Sequence, residues 1–409
     1  MPRADQLSSY KPIAATFVTL ALVYGVWYAY SVFLVALLRE FGWSRSVLAG
    51  AFSLFTLVHG GLGLPLGWLA DRVGPRRLIV VGGAVLGAAL LLDGAIERPW
   101  QLYLTFGLMT ALGIATAGWV PAVMLVQRAF PHRIGTALGF TSAGVGFGIF
   151  LVVPICQWLI DQVGWRWAFR FAGLVVAAWV IPATLWLVRD TPPRAPDAAP
   201  AAAAAPPARG DGARRELTLG AAMRTLPFWL FATLQASVSF ANQMLLVHQI
   251  AYLVDHGIQS LMAASVVSVI GITSVCGKIG GGWVSDFVDR RVTYTVGTTL
   301  TAASIGALGL LAVHPTPGWA YLYGVLIGVG YSIPAAITPA IINDVFRGRH
   351  FGAIFGSFQI AGALGGATGP WVAGRVFDVT GSYAPAFIAA AVAAGVATAA
   401  LWGTRRRTR

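Results

Sequence analysis

Apolar positions in this chain neither alternate nor form one-sided stripes for most of its length; they run on. Twelve such runs, at about 12–38, 46–70, 77–95, 100–126, 134–160, 167–189, 226–254, 260–285, 292–313, 317–344, 351–374 and 382–403, are separated by short polar or glycine- and proline-bearing turns. A helix needs roughly 20 apolar residues to cross a bilayer, and in lipid a helix satisfies its own backbone groups. The pattern predicts an all-α membrane protein with twelve transmembrane helices. The first run is too long, and lacks the small-residue cleavage site, for a removable signal peptide.

Composition agrees: 57% of the 409 residues are hydrophobic and only 11% charged, more apolar surface than a soluble core can bury. A net charge of +13 alone is compatible with nucleic-acid binding, but its distribution is not. Assigned to alternating loops, most arginines fall on one side, including Arg72, Arg76, Arg77, Arg290 and Arg291. Only Arg39, Arg45, Arg98, Arg166, Arg170 and Arg375 fall on the other. The positive-inside rule then places both termini in the cytoplasm, and nucleic-acid binding is excluded. Cys156 and Cys276 lie inside runs without metal-ligand or CxxC spacing, so neither a disulfide nor a metal is expected.

Residues 190–224 are rich in Ala, Pro and Arg and read as a cytoplasmic linker, with "ELTLGAAMRTL" forming a short surface helix at its end. The linker divides the chain into a six-helix unit at 1–189 and another at 225–409. The halves repeat each other. "GWLADRVGPRR" (67–77) matches "GWVSDFVDRR" (282–291), and Gly135, Gly139, Gly148, Asp161 and Gly164 recur at one constant offset as Gly352, Gly356, Gly365, Asp378 and Gly381. "GWVPA" in the fourth run has a counterpart in "GYSIPA" in the tenth. Such a parallel duplication marks one large transporter architecture.

"GWLADRVGPRR" is similar to the G-x-L-A-D-R-x-G-R-R loop of the major facilitator superfamily, with Pro75 in place of an arginine. The chain resembles that superfamily over essentially its whole length. Within it, "YSVFLVALLREFGWSRS" (30–46), "QRAFPHRIGTALGFTSAGVGFG" (127–148), the stretch from Pro154 to Phe169, "VHQIAYLVDHG" (247–257) and "FDVTGSYAPAF" (377–387) resemble the monocarboxylate transporter and oxalate:formate antiporter group. The resemblance implies two pseudo-symmetric six-helix bundles, the major facilitator fold. It also implies that Asp71 with Arg72, Arg76 and Arg77 forms a charged latch between the halves, for which a carboxylate at a helix end facing arginines is suited. Asp286 with Arg290 and Arg291 is the second copy, with Asp289 where the pattern has glycine. Simple topology anchoring is the competing reading for both.

Lys278 is the chemical anomaly. It is one of two lysines, the other being Lys11, and it lies within an apolar span, where a charge is costly and by default functional. Gly271, Ser274, Val275, Gly281 and Gly282 share its helical face, whereas bulky Ile272, Ile279 and Trp283 lie elsewhere. A small-residue face argues for a cavity over snorkelling to the interface. The residue eight before Asp71, by contrast, is Gly63, so the cation belongs to the second half alone. The resemblance implies that an arginine of relatives binds the substrate carboxylate here. It also implies an aspartate one turn earlier that takes part in proton coupling, and that position is Ser274.

Further candidates for the substrate site are Tyr24 and Tyr28, one turn apart; Trp119 and Tyr331, which precede Pro121 and Pro334; and Asn242, His248 and Gln359, polar groups in apolar runs. His248, Tyr252 and Asp255 fall on one stripe, so a gate competes with a substrate role; His59 reads as structural. The expected function is a secondary transporter moving a small organic anion by alternating access, with proton symport or anion exchange. It is expected to act as a monomer, without cofactor, in a bilayer of the bacterial inner-membrane type. Efflux of larger or neutral compounds is the alternative, and a non-transporting membrane sensor is the alternative of another class. No nucleophile–base pair or metal cluster points to an enzyme.

Overall fold

The computed structural model describes residues 4–129, 134–188, 218–346 and 351–404, and among them every regular element is a helix. The first half contains α1 (Ala4–Phe41), α2 (Arg45–Gly61), α3 (Gly63–Val73), α4 (Pro75–Asp93), α5 (Pro99–Leu102), a π-helical segment (Tyr103–Thr110), α6 (Ala111–Ala117), α7 (Trp119–Ala129), α8 (Ile134–Val163) and α9 (Trp165–Leu187). The second contains α10 (Leu219–Met223), α11 (Leu226–Asp255), α12 (Ser260–Phe287), α13 (Arg290–Val313), α14 (Pro317–Val345), α15 (Phe351–Thr380) and α16 (Ala384–Gly403). Ten helical stretches are long and apolar enough to cross a membrane, and the bent pair α2–α3 raises that number to 11. The glycine-rich α15, 30 residues long, is packed between α2 and α11. Most of the predicted linker, and residues 130–133 of "QRAFPHRIG", lie outside the described residues. The expected short helix is α10, capped by the Thr218 hydroxyl accepting from the Ala221 N–H.

Two runs that read as continuous are broken. The second span bends by 54° between α2 and α3, at "GGLGLP" (60–65), where glycines and Pro65 weaken the helical backbone. The fourth passes through the π-helical segment and breaks again at Gly118, whose ψ of −139° ends α6. The Tyr24 hydroxyl lies against the backbone at that break, beside Gly118.

Loop positions define two ends. The motif end carries the junctions α3–α4 and α12–α13; the far end carries α1–α2, α11–α12 and α15–α16. The duplication is visible in the backbone: Gly164 and Gly381, closing α8 and α15, both have positive φ, 82° and 71°. Within each half the long helices touch backbone to backbone. A Cβ on Gly148 of α8 would run into the Ala21 carbonyl of α1, and one on Gly365 of α15 into the Ala236 carbonyl of α11. The two bundles pack on each other by the same device. Gly60 of α2 faces Ala363 of α15, and Gly146 of α8 faces Val275 and Gly271 of α12.

Replacing Gly148 or Gly365 by valine is expected to destabilise by about 1–3 kcal/mol or more, since backbone carbonyls cannot yield as side chains do. Thermal unfolding in detergent checks this against Gly139→Ala, where the added methyl meets nothing within 4 Å and the midpoint should be unchanged.

Candidate functional site

At the far end one arginine joins the bundles. Arg45, at the start of α2, places Nη2 2.8 Å from Asp255 Oδ2 at the end of α11 and donates from Nη1 to the Tyr383 hydroxyl at 2.7 Å. Its guanidinium also lies 3.8 Å from the centre of the Phe377 ring. The backbone N–H groups of Arg45 and Ser46 both donate to Asp378, at 2.9 Å each. These donors are the orphan amides that open a helix, and a carboxylate is their natural cap. Further along, Ser53 of α2 donates to the Ala367 carbonyl of α15.

Toward the motif end the seams part. Beyond Gly60, a Cβ on Gly63 or Gly352 would meet nothing within 4 Å, and the same holds for Gly139 and Gly282 on the α8–α12 seam. Between the parted helices is a cavity of about 590 Å³, walled by both bundles. Tyr24, Trp27, Thr56, His59 and Trp119 line it from the first bundle, and Gln235, Ser239, Gln243 and Gln359 from the second. Trp27 stacks on Tyr24 at 5.7 Å and meets His59 edge-on at 4.6 Å. Gln235 donates to Gln359 at 3.3 Å. A smaller chamber of about 220 Å³ shares Gln235, Ser239, Phe355 and Gln359 with it and adds Asn242, Tyr331 and Thr338. Among the described residues, no acidic or basic side chain other than His59 lines either space.

Of the predicted substrate residues, the structure thus brings together Tyr24, Trp119, Asn242, Tyr331 and Gln359. Tyr28 lines neither space but meets the Tyr331 phenol across the bundle interface. His248 stands apart, fully buried in the far-end network, with Nδ1 2.9 Å from the Tyr383 hydroxyl and Nε2 2.8 Å from the Pro370 carbonyl. Lys278 is half-buried on α12 and lines neither space. It makes no hydrogen bond or ion pair with a described residue. Its neighbour Gly277 packs on Val329 and Ser332 of α14, so Lys278 stands near the height of Tyr331.

The arginine motifs tie helices within each bundle. Arg76 donates to the carbonyls of Thr184 and Leu185, capping the end of α9. Arg72 lies over the Trp68 ring at 3.8 Å. Arg290 pairs with Asp344 at 2.6 Å, linking α13 to α14, and Asp289 caps α13 by accepting from the Arg291 N–H. Asp71, Arg77 and Asp286 are exposed at the motif end, where the bundles stand apart.

Trp27, Gln235 and Gln243 are cavity residues that the sequence alone did not single out, and His59, read there as structural, lines the cavity with them. Trp27 lies on the Tyr24–Tyr28 face of α1, and that aromatic clustering was the available signal. Gln235 lies two turns from Asn242 on α11, a polar spacing hidden in an apolar run. Arg45 was visible as one of few basic residues on its side of the membrane, without its partners.

A family model described as Major Facilitator Superfamily matches residues 16–286 and 255–409. Monocarboxylate transporter 13 of Bos taurus is 28% identical over 388 residues, spanning 92% of this chain and 85% of that protein. Monocarboxylate transporter 12-B of Danio rerio is 25% identical over 399 residues, spanning 92% and 82%. Among solved structures, the nucleoside transporter NupG superposes with a TM-score of 0.77 at 10% identity, over 96% of this chain and 99% of that one. A bacterial homolog of the human lysosomal transporter Spinster, inward-facing and occupied, gives 0.69 at 17% identity, over 95% of each. At such identities these two speak for the fold alone.

The far-end geometry makes a prediction. Arg45→Met removes the cation that holds Asp255 and Tyr383 and should favour opening there. With Cys156 and Cys276 replaced by alanine, a Trp27→Cys thiol should react at least about fivefold faster with an impermeant maleimide presented to the far end of sealed vesicles. An unchanged rate would mean that Arg45 does not hold the far end shut.

Proposed function

The chain belongs to the Major Facilitator Superfamily, and on that premise we propose that it is a secondary transporter moving a small organic anion by alternating access. The substrate class is a monocarboxylate such as lactate or pyruvate, or a small dicarboxylate, moved by proton symport or anion exchange. The observation that carries the reading is Lys278, a half-buried cation without a partner among the described residues, at the height of the inner chamber. A cation so placed is costly until something negative joins it, and a substrate carboxylate would do so as the surrounding helices close. The names of the relatives agree, as monocarboxylate transporters. The positive-inside rule puts the motif end, with its arginines, in the cytoplasm. The conformation is then open to the cytoplasm, with the far-end clasp made. Tyr24, Tyr28, Trp119, Asn242, Tyr331 and Gln359 supply ring faces and hydrogen-bonding groups to the bound solute.

A second reading, export of larger or neutral compounds, is favoured by one observation. The 590 Å³ cavity is walled by aromatic rings and amides and not by Lys278.

Uptake of labelled lactate, pyruvate, oxalate and formate into proteoliposomes, under a proton gradient and in counterflow, separates the two. At least one acid should accumulate in the wild type, fall to background in Lys278→Ala and return in part in Lys278→Arg, which keeps the charge but not the point geometry. If no acid moves, the small-carboxylate reading fails. Full uptake in Lys278→Ala would remove the lysine from the site. Loss of neutral-compound transport in Trp119→Ala would then support the second reading.

A further inference from the structure

The far-end network contains a group that neither the substrate site nor the clasp itself requires. His248 of α11 is 0% exposed and bonded at both ring nitrogens. The Pro370 carbonyl can only accept, so Nε2 carries the ring proton. The Tyr383 oxygen already accepts from Arg45 Nη1 at 2.7 Å, and its own O–H is left to donate to Nδ1. Donation therefore runs one way, from Arg45 through Tyr383 and His248 to Pro370. The chain closes only while Nδ1 holds no proton.

Proton uptake reverses the middle link. A proton on Nδ1 turns the acceptor into a donor, so the imidazolium and Arg45 Nη1 both donate to one phenol oxygen. The Tyr383 O–H loses its acceptor, and a second positive charge stands in the same network as the guanidinium. The charged and titratable groups around the ring are already committed. Asp255 holds Arg45 Nη2, and Asp378 caps α2 through Arg45 and Ser46. Tyr252, on the same helix, donates to the Leu308 carbonyl, and His256 bonds the Tyr252 carbonyl. Asp378 acts on the ring only through space and no carboxylate among the described residues bonds it, so the strain falls on the Tyr383–Arg45 contact. Asp255, 33% exposed, gives the network an edge at far-end water from which a proton can enter.

We propose that His248 is a proton-binding site, and that a proton on Nδ1 releases the Arg45 clasp and opens the far end. The proton comes from solvent and stays on the ring; hydrogen bonds are exchanged and no covalent bond between heavy atoms is made or broken. The site's use in transport rests on the alternating-access reading, but protonation and opening can be observed without substrate.

Spin labels on Glu97→Cys and Gln259→Cys, exposed far-end residues on opposite bundles, report the opening in lipid nanodiscs. The background chain has Cys156 and Cys276 replaced by alanine. Lowering the pH from about 8 to about 5, across the histidine range, should raise the far-end-open population by about tenfold. His248→Gln cannot take the proton, and Tyr383→Phe cannot pass its effect to Arg45; both should abolish the response. If His248→Gln does not fold, Tyr383→Phe alone decides. A wild type without response overturns the proposal. So does either variant that keeps the wild-type response, which would assign the titration to another group such as Asp93 or His59. Failure of acid uptake with the pH response intact would count against the substrate reading only.

Discussion

A single arginine, bonded through its guanidinium to Asp255 and the Tyr383 phenol and through its backbone N–H to Asp378, ties the two bundles together at the far end. Arg45 is 13% exposed at its side chain, and every partner named for it lies in the second bundle. An exposed ion pair would contribute little. This one combines a charge-assisted pair, a hydroxyl acceptor and an aromatic face, while the backbone beside it is capped by Asp378. Because the seams are glycine-lined and flat, they can close tightly without interlocking. Which end is shut then depends on polar contacts at the rims more than on the apolar surfaces between them.

The cavity follows from that closure. With the far end drawn together, the helices diverge toward the motif end and leave a space that neither bundle could enclose alone. Its polar character is unusual for a span interior: amides, hydroxyls and indole edges occur, while charges are kept to the margins. Backbone contributes as well. The break at Gly118 brings a helix start to the cavity wall and turns the Trp119 indole, 38% exposed, into the space. Such interruptions are tolerated in a membrane only where they line a cavity or are buried in protein, and both breaks of the first bundle meet that condition.

Much of the architecture was legible in the sequence because lipid imposes long apolar helices and duplication leaves a constant offset. Gly164 and Gly381 match in sequence and again in backbone angle. The breaks were less legible. Apolar length carries no record of direction, and "GGLGLP" reads equally well as a packing stripe or a bend. Tyr24, Trp119, Asn242, Tyr331 and Gln359 were found as polar or amphipathic groups at comparable depths. Lys278 was conspicuous by charge, yet charge alone did not say whether it borders the space seen in this conformation. The clasp was hidden for a different reason. Arg45 and Asp378 are separated by 333 residues, and a pairing made across the bundle interface leaves no local signature. His248 shared a stripe with Tyr252 and Asp255, which hinted at a gate; only the bond to Tyr383 connects it to Arg45.

The bend at Leu62 divides the second span into parts with different mechanical duties. α2 is tethered to α15 at Arg45, Ser46 and Ser53, along most of its 17 residues. α3, 11 residues long, continues past the last cross-bundle contact and bears Asp71 and Arg72 at its tip. Beyond the glycine-rich elbow, α3 packs on α4, α6 and α7 of its own bundle, so the tip is held by the first bundle while the post is held against the second. The elbow is where the second span passes from the hold of one bundle to that of the other, so rocking of the bundles bends the span there.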